Sequence, residues 1–331
     1  MSISLPSLFH EYLLGKKNLL AFSSGVDSSA LFFLLLEAGL SFDIALVNYG
    51  VREEAEKEEA HAYALAEKYG IRCFTTKAPL FKSHFEAEAR KFRYGFFEET
   101  IDREGYDTLL TAHQLNDQLE WLLMRLSKGA GVSELIGLEE FSERSGYTIV
   151  RPLLGYSKED LIDYLNNNAY PYFIDKSNVD EKYERNYIRK HFSDAMIARY
   201  KDGIKRSFSY LREDKKQIEE GIELCAEEKE LIALRLHTKE DKVRAVDITL
   251  KKLGYLLSAA QRNVIAAEDN LVIGGKWAIV YKEKMLYIAP YRTMKMPKTF
   301  KEACRIAQVP VKIRPYCFEE GIKLSFFTDL C

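Results

Sequence analysis

No cysteine pair stands at C-x-x-C spacing in these 331 residues, and the five cysteines, Cys73, Cys225, Cys304, Cys317 and Cys331, are scattered and odd in number. That pattern argues against a disulfide framework or a four-cysteine zinc site and fits reduced thiols of a cytoplasmic protein. No apolar run approaches the roughly 20 residues of a membrane span. The longest candidate, residues 30–36, sits inside a helical pattern. The N-terminus lacks the basic start, apolar stretch and small-residue site of a secretory signal. Nor is there an excess of one charge: 48 Lys and Arg face 50 Asp and Glu, for a net charge of −2. A global polyanion-binding signature is therefore absent. Locally the balance tips, with eleven basic against five acidic residues over 182–216 and eight against four over 291–331. Such stretches suit local contact with a polyanion. Repeats and low-complexity segments are also missing.

What is present is an alternation of short apolar runs and amphipathic stretches. Residues 18–22, 42–48, 71–75 and 108–111 read as buried strands. Helical patterns follow them at 28–38, 53–69, 84–103 and 116–126, and glycines Gly39, Gly70, Gly105 and Gly129 lie at their ends. Alternating strands and helices predict an α/β fold, a doubly wound and mostly parallel sheet. Ligands bind such sheets at the carboxyl ends of the strands. Ser157 opens another helix with a capping-box pattern, running to about residue 166. Residues 200–267 read as charged and helical, without strands. Short strands follow at 271–273, 277–281 and 285–288, the last two forming a hairpin around Lys282-Glu283-Lys284. The length exceeds the roughly 250–300 residues of a single core. Two domains are expected, 1–205 and a smaller α+β domain at 206–331.

Two constellations carry chemistry. Ser23-Ser24-Gly25-Val26-Asp27-Ser28 is a small polar turn between a strand and a helix. Backbone N–H groups there sit beside the positive end of the helix dipole, a ready anion site. It is neither a Walker loop nor a G-x-G-x-x-G fingerprint. Asp27 would repel an anion unless a cation lay between them, which suggests Mg2+. The second constellation follows the fourth strand: His113, Asp117 and Glu120, spaced i, i+4, i+7. In a helix all three share a face; if the helix begins at residue 116, His113 lies in the approach turn. An imidazole and two carboxylates can bind a metal, orient an amine or accept its proton. Two basic clusters, Arg90 with Arg93 and Arg185 with Arg189 and Lys190, lie near Tyr94, Phe96, Phe97, Tyr183 and Tyr187. Arginine interleaved with aromatics suits RNA phosphates and splayed bases, whereas aromatics alone suit core packing.

The first constellation resembles the S-G-G-x-D-S loop of the N-type ATP pyrophosphatases, with Ser24 in place of a glycine. A residue there must keep φ negative or accept strain. The second resembles the H-H-x-x-D-Q-x-E-T motif of the tRNA(Ile)-lysidine synthetase family, with Gln114 and Trp121 as departures. Further matches follow in order: Ala89-Arg90-Lys91-Phe92-Arg93-Tyr94, Leu126-Ser127-Lys128-Gly129-Ala130-Gly131, Val150-Arg151-Pro152-Leu153-Leu154, Asp175-Lys176-Ser177-Asn178 and Arg185-Asn186-Tyr187-Ile188-Arg189. Asn48-Tyr49-Gly50-Val51-Arg52 resembles the family's H-G-[LV]-R turn, with Tyr49 for His. The resemblance spans roughly residues 18–192; beyond it only Gln308-Val309-Pro310 and Lys312-Ile313-Arg314-Pro315 are similar.

The resemblance implies a PP-loop fold like that of the adenine nucleotide alpha-hydrolases, ATP and Mg2+ as cofactors, and a carbon–nitrogen ligase acting in the cytoplasm without a membrane. Its substrates would be free lysine and an isoleucine tRNA with a CAU anticodon. ATP would lie on residues Ser23 to Ser28, with Mg2+ at Asp27 and Asp117. Asp27, His113, Asp117 and Glu120 would be catalytic, and Arg90, Arg93, Arg185 and Arg189 would meet the tRNA. The 206–331 region would help grip the tRNA. The alternatives are a tRNA thiolase, an amidating ligase, or an inactive tRNA-binding protein. Cytidine thiolases carry paired cysteines, and nothing here resembles a glutaminase.

Overall fold

The computed structural model describes residues 3–50, 54–79, 81, 85–174 and 184–328. Val51, Arg52, the Asp175 to Asn178 segment and Tyr183 lie outside the described residues. The chain divides into two compact units, Met1–Arg212 and Glu213–Cys331. The division falls seven residues beyond the boundary expected near 205, inside a helix, Asp194–Glu220.

The first unit begins with α1 (Ser7–Leu13), then alternates β1 (Asn18–Ala21), α2 (Val26–Glu37), β2 (Phe42–Asn48), α3 (Glu54–Tyr69), β3 (Cys73–Lys77), α4 (Phe85–Glu104), β4 (Thr108–Leu110) and α5 (Leu115–Leu126). From β1 to α5 each agrees with its sequence expectation to within two residues, whereas α1 was not expected. A short α6 (Val132–Leu135), β5 (Phe141–Arg144), β6 (Tyr147–Val150) and α7 (Lys158–Asn167) follow. The sheet runs β3-β2-β1-β4-β6-β5, parallel except for the β5–β6 pair. That antiparallel edge hairpin was not expected, because its first strand, FSER, is too polar to read as one.

The strand order reverses direction at β1 and β4, so the carboxyl ends of those two strands frame the crevice where ligands bind. Helix α2 is apolar almost all round and buried from Val26 to Leu35 apart from Asp27. It therefore acts as a core element under the loop it follows. At the other end, Asn18 is buried and pins β1: its amide donates to Leu13, Lys16 and Ser41 carbonyls and its carbonyl accepts from Thr108.

After α8 (Glu184–Ile188) a π-helical turn, Arg189–Ser193, leads into α9 (Asp194–Glu220). Ile197, Ile204 and Phe208 of α9 pack on Leu115 and Leu119 of α5.

The second unit is built on an antiparallel sheet ordered β7-β8-β11-β10-β9. Its strands are β7 (Ile222–Glu228), β8 (Leu231–Leu236), β9 (Asn270–Ile273), β10 (Trp277–Lys282) and β11 (Met285–Pro290). Helices α10 (Lys242–Lys252) and α11 (Ala259–Ala267) cover one face, and α12 (Lys298–Ile306) and α13 (Arg314–Glu320) the other. Strand β10 alternates between them: Trp277 and Ile279 enter the first core, Ala278 and Val280 the second. The expectation that 200–267 contains no strand is wrong, since β7 and β8 lie within it. Their residues, IELCAEE and LIALRL, include many good helix formers. The turn between them uses Lys229 at φ 55° where glycine or asparagine would signal a hairpin.

Cys73, Cys304 and Cys317 are free thiols. Cys225 is disulfide-bonded, against the expectation of thiols throughout. Spacing alone could not signal a single bond of this kind. Among the described residues no helix is long and apolar enough to cross a membrane.

Candidate active site

The loop Ser23 to Ser28 leaves the end of β1 and enters α2, as expected. Its N-cap, Gly25, makes no side-chain cap, so the first-turn N–H groups of α2 are not covered from that position. Ser28 closes the loop on itself: its hydroxyl donates to Gly25 O at 3.2 Å and accepts from Ser23 N–H at 3.2 Å. A Cβ at Gly25 would meet Ser23 Oγ at 3.3 Å, so the turn is tight as well as polar.

Ser24 takes the strained alternative, with φ 58°. The hydroxyl compensates. It donates to Glu58 O at 2.9 Å and lies 3.2 Å from His61 Nδ1, both on α3. Ser24 O also accepts from Phe173 N–H at 2.8 Å. The side chain is thus committed to α3 and does not narrow the loop.

Asp27 occupies the first turn of α2, where Oδ1 is buried without a hydrogen-bond partner. Burial, then the charge of Asp117, pushes its carboxyl up to about 7; Lys158 and Arg189 oppose that rise and Glu120 adds to it. A buried carboxylate with a free oxygen beside an anion site fits a hard cation such as Mg2+. Lys158 was missed at the level of sequence, where Ser157-Lys158-Glu159-Asp160 signalled only a helix start. The capping box is real, with Ser157 Oγ and Asp160 exchanging bonds, and it places Lys158 within electrostatic reach of Asp27.

Helix α5 begins at Leu115 with Gln114 as N-cap, so His113 lies in the approach turn. Gln114 Oε1 accepts from Asn116 N–H at 2.6 Å, and Asp117 Oδ2 accepts from Gln114 N–H at 3.0 Å. The glutamine that departs from the family motif is therefore the helix cap. His113 Nδ1 lies 3.0 Å from Thr111 Oγ1. Burial, with the charges of Arg151, Arg185, Arg90 and Arg93, lowers its imidazole to about 3. His113 is uncharged at neutral pH.

Glu120 has no exposed surface and is paired on both oxygens. Arg185 Nε donates to Oε2 at 2.7 Å, and Arg189 donates to Oε1 at 2.6 Å and Oε2 at 3.0 Å. Arg185 also donates to Asp117 Oδ1, tying the two carboxylates together. Both arginines, expected as RNA contacts, are thus engaged within the constellation. Arg90 and Arg93 on α4 are exposed. Arg93 Nε donates to Tyr49 Oη at 2.9 Å, and the Arg90 guanidinium lies 4.7 Å from the Tyr94 ring centre. Tyr49, the other departure, serves as Arg93's partner. Phe97 is core, and Tyr94 and Phe96 pack against it, so these aromatics are largely structural.

The expected residues from β1, β4, α4 and α8 therefore converge at one rim. A 380 Å3 cavity lined by Asn18, Asp43, Tyr69, Arg72 and Tyr106 lies at the opposite rim, by the amino ends of the strands. It is no part of this constellation.

A parallel sheet whose first turn is a Ser-Gly-Asp loop under a buried helix defines a PP-loop nucleotide-binding protein, and residues 3–196 match the PP-loop domain family. A U34-tRNA thiolase, NcsA, from Methanococcus maripaludis, solved with a 4Fe-4S cluster, shares the fold with TM-score 0.51, at 16% identity over 60% of this chain and 72% of that one. The chain is 45% identical over 310 residues to a tRNA(Ile)-lysidine synthase of Campylobacter jejuni, covering 93% of this chain and 94% of that one. It is 44% identical over 308 residues to the enzyme of that name from Wolinella succinogenes, covering 92% and 94%. The chain belongs to the tRNA(Ile)-lysidine synthase family, and it is an ATP-using ligase that forms a carbon–nitrogen bond.

Proposed function

We propose that this enzyme joins lysine to C2 of the wobble cytidine of a CAU-anticodon isoleucine tRNA through an adenylated base. The carrying observation is the unpartnered buried oxygen of Asp27 beside the loop, facing a carboxylate and arginine cluster from α5 and α8.

ATP lies with its phosphates on the Ser23 to Ser28 loop, where N–H groups and the α2 dipole favour the negative charge. Asp27 would hold Mg2+, with Asp117 joining once it yields a contact to Arg185 or to the α5 cap. The ion, when bound, neutralises charge on the phosphates. The C2 carbonyl oxygen of cytidine attacks the α-phosphorus, and pyrophosphate leaves. The ε-amine of lysine then attacks C2, loses a proton, and displaces AMP, which carries the former carbonyl oxygen. Free lysine is protonated at neutral pH, its ordinary pKa being about 10.4. Asp117 holds that ammonium and receives its proton, while Glu120, closed off behind the two arginines, fixes their position. An imidazole held uncharged is a weak base, so His113 acts by hydrogen bonding at the base or phosphate. Arg90 and Arg93, exposed at the rim, contact tRNA phosphate. Arg185 and Arg189 work from within, holding the carboxylates. An anticodon loop presents its base already unstacked, so little energy is needed to deliver it. The second unit acts as an accessory grip on the tRNA, and the reaction takes place in the cytoplasm.

The test is transfer of labelled lysine to an unmodified isoleucine tRNA transcript with Mg-ATP. Stable, ATP-dependent label, absent with a methionine tRNA, is the expected result. A folded protein that binds ATP and gives no label would overturn the reading.

A further inference from the structure

The element that carries Arg185 and Arg189 into the site has a second face. Tyr187, Phe192, Met196 and Tyr200 are all exposed, from 36% for Met196 to 55% for Tyr200. The last three are spaced by four residues, Phe192 within the π-helical turn and Tyr200 at a kink in α9, where its backbone leaves the helical region at φ −129° and ψ 20°. Tyr187 and Phe192 are five apart and would diverge on a regular α-helix. Their rings nevertheless meet, at 6.1 Å between centres and 60° between planes. The π-helical turn Arg189–Ser193 absorbs the extra residue and aligns Tyr187 with Phe192. His191 lies against Tyr187, with ring centres 4.5 Å apart and planes at 35°. Core packing does not explain this stripe, since Ser193, Ile197, Ile204 and Phe208 form the buried face of the same element.

The surroundings are cationic. Residues 184–206 carry seven Lys and Arg against three Asp and Glu. The Arg199 guanidinium lies 5.5 Å from the Tyr200 ring centre. Aromatic faces interleaved with cations stack on unpaired bases while the charges meet the backbone. Tyr187 also sits between the two arginines that grip Glu120, so a strand tracking the stripe would lead toward the reacting carboxylates.

We propose that Tyr187, Phe192 and Tyr200 form a stacking platform for unpaired bases of the RNA flanking the nucleotide under modification. The proposal rests on the tRNA reading above. Its role is to hold the single-stranded loop, while Arg185 and Arg189 on the inner face organise the chemistry. One element thereby couples loop binding to the arrangement of Asp117 and Glu120.

Binding is measured by fluorescence anisotropy with a labelled anticodon stem-loop, and separately with the same stem closed as a blunt duplex. The proteins are the full chain and its Tyr187→Ala/Phe192→Ala double variant. The exchanges Tyr187→Phe and Phe192→Tyr keep the rings and serve as rescue variants. Thermal unfolding and ATP binding report the fold. The expected result is a loss of about tenfold or more in stem-loop affinity for the alanine variant. Duplex affinity and salt dependence stay unchanged, because phosphate contacts remain. Ring-preserving exchanges should restore binding. Unchanged stem-loop affinity, or equal loss on loop and duplex, overturns the platform. So does sedimentation showing a wild-type dimer that the alanine variant dissolves, which would make the stripe a contact between copies. Lysine transfer by the wild type is measured alongside: its failure overturns the tRNA reading, whereas transfer with binding indifferent to these rings overturns only the platform.

Discussion

Asp27 and Glu120 are carboxylates at one rim of one sheet, and they are treated in opposite ways. Glu120 is wholly buried and has two arginines on its two oxygens. Asp27 is half-buried, with Oδ1 buried and unpartnered, and its nearest charges pull in both directions. A paired carboxylate supports the fold; an unpaired one costs stability unless something binds it. The contrast divides the site into a prepared half, α5 with α8, and a half that only ligand completes, the phosphate loop. Functional positions are where such local costs are expected.

The sharpest way to break the comparison is Asp27→Asn. Removing the carboxylate should lower ATP-dependent pyrophosphate release by about a thousandfold, the scale of losing a key electrostatic group. Yet the same variant should be as stable as the wild type or more so. The pH dependence follows. The folded carboxyl titrates near 7 against 3.8 in the unfolded chain. Between those values the folded state binds more protons, so stability falls as pH rises from about 4 to about 7. Three pH units correspond to on the order of 4 kcal/mol as an upper limit. Thermal melts across that window should show wild type losing ground to the Asn variant, and Mg2+ with ATP should flatten the difference. Parallel melting curves at every pH would mean Asp27 is already solvated or paired.

Glu120→Gln tests the other half. It leaves two guanidinium groups facing a neutral amide. Full burial would make that loss about 3–5 kcal/mol. Arg185 and Arg189 retain 35% and 22% exposure, so screening should reduce it to about 2 kcal/mol. Urea unfolding at neutral pH reads the change directly. A neutral outcome would show that the pairing is catalytic organisation alone.

Within the loop, Ser24 separates strain from compensation. Ser24→Ala keeps the left-handed backbone and loses the bonds to α3, a loss of about 1–2 kcal/mol. Ser24→Gly also loses the bonds but relieves about 1 kcal/mol of strain, so it should be close to neutral. Equal destabilisation by both would assign the whole effect to the hydroxyl. Unfolding midpoints of the two variants settle the order.

The contrast between the two units explains what sequence could and could not convey. In the first unit, chain-local signals agree: apolar runs mark β1 to β4, glycines lie at the helix ends, and the loop chemistry lies beside them. The carboxylates Asp27, Asp117 and Glu120 were readable for that reason. Their partners were not. That Arg185 reaches Asp117 and Glu120, 65–68 residues earlier, depends on how α8 returns across α5. Lys158 acts on Asp27 from a helix whose only sequence signal was its cap. Ser24 and Gln114 looked like losses from a motif; Ser24 proved to bind Glu58 and His61, 34 and 37 residues further on, and Gln114 to cap its own helix through Asn116.

The second unit was harder to read because two of its hairpin turns lack the usual residues, although Gly274 and Gly275 mark the turn between β9 and β10. Lys229 at φ 55° links β7 and β8, and Glu283 and Lys284 take φ 53° and 68° in the β10–β11 hairpin. The β10–β11 hairpin was legible because its strands, WAIVYK and MLYIAP, are rich in β-branched and aromatic residues. The β7–β8 hairpin was hidden because its strands favour helix. This difference yields the smallest effect. Lys229→Gly removes left-handed strain of about 1 kcal/mol and should raise the unfolding midpoint of the full chain slightly. Lys229 also binds Glu320, with Nζ 2.6 Å from Oε2 and 2.7 Å from its carbonyl. That exposed pair is worth little. A net gain would assign the turn's cost to its backbone; a net loss would mean the lysine holds α13 to the turn more firmly than its exposure implies.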